Sequence, residues 1–237
     1  MDIIEEIKEK INTYVDEERA AVSPRYFQAF EGGYGEGDQF IGVAVPNLRK
    51  VARSYYRHIE ITDVERLLKE PIHEYRFTAL CILVYKFEKA KDRGEKETIV
   101  NTYLRNLESV NNWDLVDCSA DKILGAFVFD KDKSILYDLA RSLDLWKQRI
   151  AIISTFYFIR QNHFHDTIEI AKILLNHKHD LIHKAVGWML REIGNRDFDV
   201  EFHFLKDNYK RMPRTMLRYA IEKFDPDLRQ QFLKGLI

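Results

Sequence analysis

The chain has 237 residues, of which 46% are hydrophobic and 32% charged, with only 10 glycines and 5 prolines. That balance excludes a disordered chain and argues against a turn-rich β architecture, leaving a globular protein built mainly of helices. The formal net charge of −1 is unevenly spread: residues 1–22 hold seven acids against three bases, and residues 172–218 hold ten bases against six acids. Attraction of a polyanion follows local potential more than the sum over the chain, so the charge permits a nucleic-acid partner without requiring one.

In chain order, Met1 to Ile7 is acidic and amphipathic, unlike a secretory signal or transit peptide. The longest apolar stretch, Phe77 to Tyr85, is too short to span a bilayer. A cytoplasmic protein with no membrane partner is expected. Glu31 to Asp38 carries four of the ten glycines and reads as a loop; no Lys-Ser/Thr pair follows it, so it is a connector and not a phosphate cradle. Gln39 to Val43 holds the one strand-like alternation, and it is ambiguous. Beyond it, the apolar pairs Leu67-Leu68, Ile82-Leu83, Ile152-Ile153, Ile173-Leu174 and Leu181-Ile182 lie in segments of 3.6-residue periodicity. Thr62-Asp63-Val64-Glu65 and Asp166-Thr167-Ile168-Glu169 fit the capping-box pattern for helix starts, and Asp225-Pro226 fits a cap followed by proline at the first helical position.

Cys81 and Cys118 lack metal-ligand spacing and read as reduced core residues. His163, His165, His177 and His179 fall in polar connectors, so neither a metal nor another cofactor is expected.

Segments opening at Arg76, Trp113, Arg149, Lys184 and Arg214 resemble one another: a basic or aromatic residue begins an apolar helix holding small residues. Their spacings are 37, 36, 35 and 30 residues. Such a period signals a two-helix repeat, and the expected fold is an all-α superhelical solenoid of HEAT-like antiparallel helix pairs forming one domain over residues 1–237. One set of helices would line its concave face. The three tryptophans fall in these repeats. On a helix, residues three or four apart share a face, which sets Asp117 beside Trp113, Arg149 beside Trp146 and Arg191 beside Trp188. A carboxylate, guanidinium groups and aromatic faces together suit an anionic ligand that also carries an apolar or cationic part. Each also has a purely structural reading. Asp117 could be a hydrogen-bonding group inside its helix, Trp146 a core residue stapling a helix start, Trp188 a packing residue after Gly187, and Arg191-Glu192 an exposed ion pair.

Four stretches carry a family likeness: Tyr34-Gly35-Glu36-Gly37-Asp38-Gln39-Phe40-Ile41-Gly42-Val43 with Pro46 after it, Trp113-Asp114-Leu115-Val116-Asp117, Trp146-Lys147-Gln148-Arg149, and Lys184 to Glu192. In their order and spacing the chain resembles the AlkD-type DNA alkylation repair family of HEAT-like-repeat glycosylases. The resemblance implies a concave face that holds duplex DNA and a monomer that excises cationic N3- or N7-alkylated purines. Position by position, it implies Asp117 as the catalytic carboxylate, with Trp113 and Trp188 flanking the damaged nucleotide's sugar. It also implies Arg149 on a phosphate and Tyr26 as a further DNA contact; the neighbouring basic residues Lys184 and Arg191 are expected to neutralise phosphates as well. The near-neutral charge departs from more basic members.

The chemistry needs these residue types. Cleaving an N-glycosidic bond builds oxocarbenium character at the sugar. An alkylated purine that is already cationic leaves as a neutral base, so no acid is required. One carboxylate can then stabilise the developing charge and orient water, and each aromatic face adds about 0.5–2 kcal/mol of cation attraction. An arginine on phosphate fixes position without reading sequence. The family works on the sugar with the base still stacked, so a shallow surface is expected in place of a deep cavity. HEAT-like scaffolds that bind unusual or branched DNA without cutting are the competing class; a scaffold has no need of the Trp113/Asp117/Arg149/Trp188 set.

Overall fold

The computed structural model describes residues 2–237. Among the described residues all regular structure is helical, apart from an isolated bridge between Gln39 and Ile72, so the ambiguous Gln39–Val43 segment is not a strand. The all-α class is as expected. The chain divides into two compact units, one up to Ile123 and one from Leu124 to Ile237.

The first unit contains α1 (Ile3–Asn12), α2 (Glu17–Tyr26), α3 (Val45–Tyr55), α4 (Ile61–Leu68), α5 (His73–Lys89), α6 (Arg93–Arg105) and α7 (Trp113–Ser119). Ile4, Ile7 and Ile11 form one buried stripe on α1, and Asp2 caps it by accepting from the Ile4 N–H. At the centre lies α5, buried on nearly every side from His73 to Phe87 and packed on α3, α4, α6 and α7. Its lack of an exposed face is why its sequence reads as a continuous apolar run. By contrast α2 buries only Ser23.

A π-helical turn at Asp121–Gly125 precedes the helices of the second unit. These are α8 (Ala126–Val128), α9 (Ser134–Arg141), α10 (Leu145–Ser154), α11 (Phe156–Arg160), α12 (His165–Leu174), α13 (Asp180–Gly194), α14 (Phe198–Asn208), α15 (Arg214–Ala220) and α16 (Pro226–Lys234). Here α13 is central, packed on α10, α11, α12, α14 and α15. Gly187 permits the close approach of α15, since a Cβ at that position would run into the Met216 carbonyl and the Tyr219 side chain. The recurring segments read from the sequence are α5, α7, α10, α13 and α15, and within each unit consecutive members of that series pack together.

Helix starts differ from expectation in two places. Helix α4 begins at Ile61 with Glu60 at its cap position and no side-chain cap, which puts Thr62 inside the helix. Helix α12 begins at His165, and Asp166 accepts from the Tyr137 hydroxyl at 2.7 Å instead of capping. A tertiary partner outcompetes the local cap there. Asp225 does cap α16, with Pro226 at its first position.

One buried group carries a cost. Glu201 of α14 is 2% exposed, and its Oε1 has no hydrogen-bond partner among the described residues. It occupies space left by Gly194, where a Cβ would overlap the carboxyl. Burial pushes its pKa from 4.5 up to about 9, against a weak opposing pull from Arg191. Folding therefore takes up a proton between those values, and stability falls as pH rises through that window. Glu201→Gln, which cannot ionise, should abolish this loss. In urea unfolding at pH 5, 7 and 9, the variant's advantage should grow by about 1.4 kcal/mol per pH unit; parallel curves would show that the carboxyl is not buried uncharged.

Candidate active site

Helix α7 opens at Trp113 because Asn112 caps it: the fully buried Asn112 side chain accepts from the Trp113 N–H at 2.9 Å. Its amide group also donates toward the Phe27 carbonyl and Asp38. One turn on, Asp117 shares the face of Trp113, and both are half-buried. Trp113 stacks on Phe27, with ring centres 5.5 Å apart and planes 17° apart, and meets Tyr26 edge-on at 5.7 Å. Phe27 stacks in turn on Phe40 at 5.0 Å. Tyr26, Phe27, Phe40, Trp113, Asp114 and Asp117 line a cleft of about 860 Å³. A shallow surface was expected, and the cleft corrects that: α2 and the loop before α3 build an aromatic wall beside α7. Tyr26, Trp113 and Asp117 thus lie together in one cleft.

Three exposed arginines, Arg19, Arg25 and Arg49, also line the cleft. Among the described residues none of them is in an ion pair, so their charge is available to an anion. Tyr26 is 65% exposed on the same helix as Arg19 and Arg25. Sequence reasoning missed these arginines because they carry no motif; their signal is a helix whose apolar residues Val22 and Tyr26 stay exposed while almost nothing on it is buried.

Beneath the cleft lies a buried charge network that was also not foreseen. His73, 3% exposed at the start of α5, places Nδ1 3.0 Å from Asp38 and Nε2 2.8 Å from Asp114. Burial alone would lower the imidazole's pKa, but Asp114 and Asp38 outweigh it and raise it from 6.5 to about 9. At neutral pH His73 is an imidazolium donating from both nitrogens. Burial would likewise raise Asp38, yet the His73 hydrogen bond and the Arg76 charge hold it below the usual carboxylate value. Arg76 Nη2 donates to Asp38 at 2.6 Å and to Asn111 at 3.1 Å, and its Nη1 donates to the carbonyls of Glu70 and Pro71. The His73 ring also packs against Phe27 and Phe40, at 4.8 and 4.9 Å.

The glycine-rich connector thereby acquires a function in positioning. Its Asp38 is the hub of the network, and Glu74 holds its end by accepting from the Gly42 N–H at 2.7 Å and the Ile41 N–H at 3.2 Å. Gly42 has φ of +77°, and a Cβ there would strike the Asp16 carbonyl, so both conformation and space demand glycine.

In the second unit, α13 presents Lys184, Trp188 and Arg191 at helical spacing. The half-buried Trp188 donates from Nε1 to Glu192 at 3.0 Å and packs against Phe156, whose ring carries the Arg160 guanidinium 4.5 Å above it. Lys184 pairs with Asp180 at 2.6 Å. Arg191 pairs with Glu222 and lies 3.9 Å from Glu192, so the simple exposed pair read from the sequence is a three-residue cluster. Arg149, expected to face a phosphate, is 5% exposed and donates from Nη1 to the Leu181 carbonyl at 2.6 Å, which ties α10 to the first turn of α13. Trp146 is half-buried and not a core residue. Cys81 and Cys118 are buried free thiols. Among the described residues no three His, Cys, Asp or Glu side chains are gathered so as to hold a metal ion, and no helix is long and apolar enough to cross a membrane.

Glu74→Ala would leave two backbone N–H groups without their charged acceptor. The loss should be about 2–4 kcal/mol in urea unfolding at neutral pH. A change under about 0.5 kcal/mol, the scale of an ordinary surface substitution, would show that the connector holds its place without Glu74.

A family model described as DNA alkylation repair enzyme matches residues 7–224. No curated protein matches the chain significantly. Among solved structures, one titled a predicted DNA alkylation repair enzyme from Enterococcus faecalis is similar, with a TM-score of 0.70 and 15% identity over 88% of this chain and 96% of that one. AlkD2 from Streptococcus mutans is similar with a TM-score of 0.54 and 18% identity, over 88% of this chain and 99% of that one. At those identities the structures establish a shared fold, whereas the family match extends over nearly the whole sequence: the chain belongs to the DNA alkylation repair enzyme family.

Proposed function

We propose that the chain is a monofunctional DNA glycosylase that excises cationic N3- and N7-alkylated purines from duplex DNA as the first step of base excision repair. The observation that carries this reading is the placement of Asp117 beside Trp113, one turn apart in a cleft with aromatic walls and three exposed arginines that form no ion pair among the described residues. Asp117 would stabilise the cationic sugar and orient the attacking water. Trp113 would offer its aromatic face to that cation.

The phosphate grip divides among several groups. Arg19, Arg25 and Arg49 are exposed and open to phosphates, and Tyr26 beside them has a free face for the sugar. Lys184 and Arg191 are half-exposed or less and already hold carboxylates, so a phosphate contact by either would compete with Asp180 or Glu222. Arg149, being buried, would act on the backbone through the α13 N-terminus it anchors unless its side chain turns outward. No cofactor is needed, because the substrate's own charge activates the leaving group.

Asp117→Asn keeps shape and removes charge. Free-base release from methylated duplex, measured by chromatography, should fall by about a hundredfold or more while duplex binding stays within a few-fold. The wild type should release 7-methylguanine and 3-methyladenine but not uracil or hypoxanthine, which are neutral and need a proton donor; the His73 imidazolium that lines the cleft already gives both ring N–H groups to Asp38 and Asp114. Excision that persists in Asp117→Asn would remove Asp117 from the mechanism. Efficient uracil release would contradict the charge-driven scheme, and tight DNA binding with no base release at all would favour a non-catalytic scaffold.

A further inference from the structure

The two ends of α5 serve different surroundings. Its first turn underlies the aromatic cleft, whereas Lys86 and Lys89 in its last turn line a second cavity, of about 570 Å³, roughly 20 Å along the helix at 1.5 Å per residue. Arg57, which follows α3, and Lys91, in the connector to α6, complete a group of four cations around this cavity. Glu95 is the one acid that lines it, and Tyr56, Ile61 and Ile99 supply apolar wall.

Like Arg19, Arg25 and Arg49 at the aromatic cleft, these cations differ from several other basic residues of the same unit. Lys8, Arg66, Lys69, Arg93 and Arg105 each sit within ion-pair distance of a carboxylate. Among the described residues Arg57, Lys86, Lys89 and Lys91 form no ion pair; Arg57 donates instead to the Tyr56 hydroxyl at 2.9 Å. Glu95 is itself engaged, accepting from the Lys91 backbone N–H at 2.7 Å. Lys86 is half-buried, and burial draws its pKa below the ordinary lysine value despite Glu60 and Glu95 nearby. Lysines at a helix C-terminus do complement the helix dipole. That accounts for a basic residue in the last turn; it does not account for a cavity that draws cations from three segments and leaves all of them unpaired.

We propose that this cavity is a binding site for a ligand bearing at least two phosphate charges. Four cations against one acid leave an excess that a single negative charge would not match, and apolar walls strengthen the attraction by excluding water. Lysine ammonium groups act as point charges, suited to a phosphate approached from several sides. The volume admits a diphosphate or a nucleotide-sized group and is too small for a folded partner. A free nucleotide and a strand of nucleic acid share this chemistry, and both are distinguished below. The site does not depend on the glycosylase reading, because none of its residues belongs to the aromatic cleft.

Isothermal titration of the full chain with inorganic pyrophosphate at low ionic strength tests the proposal. One-site binding is expected, weakened at least tenfold by Lys86→Gln and by the double variant Arg57→Gln/Lys91→Gln, whose positions are exposed and whose folding should be unaffected. Base release from methylated DNA should be unchanged in both variants. Displacement of pyrophosphate by a nucleoside triphosphate alone would identify a small-molecule site; displacement by a short oligothymidylate as well would identify a strand contact. Absence of binding at millimolar pyrophosphate, or equal affinity in wild type and both variants, would overturn the proposal.

Discussion

Much of the first unit is built on a contact between two carboxylates and one imidazolium. Asp38 and Asp114 lie 35 and 41 residues from His73 in the chain, and the ring between them is almost wholly buried. Removing such groups from water is costly, and the cost is offset only when every charge finds a partner with good geometry. Here each charge does, although Arg76 Nε is left without a hydrogen-bond partner among the described residues: both ring nitrogens donate, Asp38 receives Arg76 as well, and Asp114 accepts from the Leu115 N–H. Breaking one link would strand the others, so the connector, the start of α5 and the start of α7 are held as one body. The aromatic wall follows from that constraint. Phe27 and Phe40 lean on the His73 ring, and Trp113 leans on Phe27.

This arrangement also changes how the chain's charge is read. The formal value of −1 counts Glu201 as ionised and His73 as neutral. In the fold His73 is protonated and Glu201 is not, and each correction raises the total by one. Asp38 and Glu74 spend their charge on buried partners, whereas Arg19, Arg25 and Arg49 remain exposed around the cleft. A near-neutral sequence thus places three exposed arginines around the cleft.

Fold class and the helical period were legible in the sequence because both rest on local pattern. Residues 3.6 apart declare a buried face, and the recurring segments fell on α5, α7, α10, α13 and α15, although only Trp113 and Arg214 open their helices, with Arg76, Arg149 and Lys184 lying a turn inside theirs. The pairing of Trp113 with Asp117 was legible for the same reason. What the sequence hid depends on partners distant in the chain. Asp38 looked like one more polar residue in a glycine-rich loop, and His73 attracted no attention without a second histidine at metal spacing. Asp166 matched a capping signature, but the Tyr137 hydroxyl claims it. Arg149 stands in a family motif, yet its burial is set by the Leu181 carbonyl, 32 residues on. No local rule reports such contacts.

His73 joins the parts of the unit by giving both ring N–H groups to buried carboxylates. Its raised pKa means the network contributes stability fully below pH 6.5 and loses it as pH rises through about 9. Following the imidazole resonances of selectively labelled His73 by nuclear magnetic resonance across pH 5 to 10 tests this directly. An imidazolium with both ring N–H protons protected from exchange and a titration midpoint close to 9 is expected. A ring that titrates near 6.5, or one already neutral at pH 8, would contradict it, because Asp38 and Asp114 would then face an uncharged partner that could not hold the cleft together.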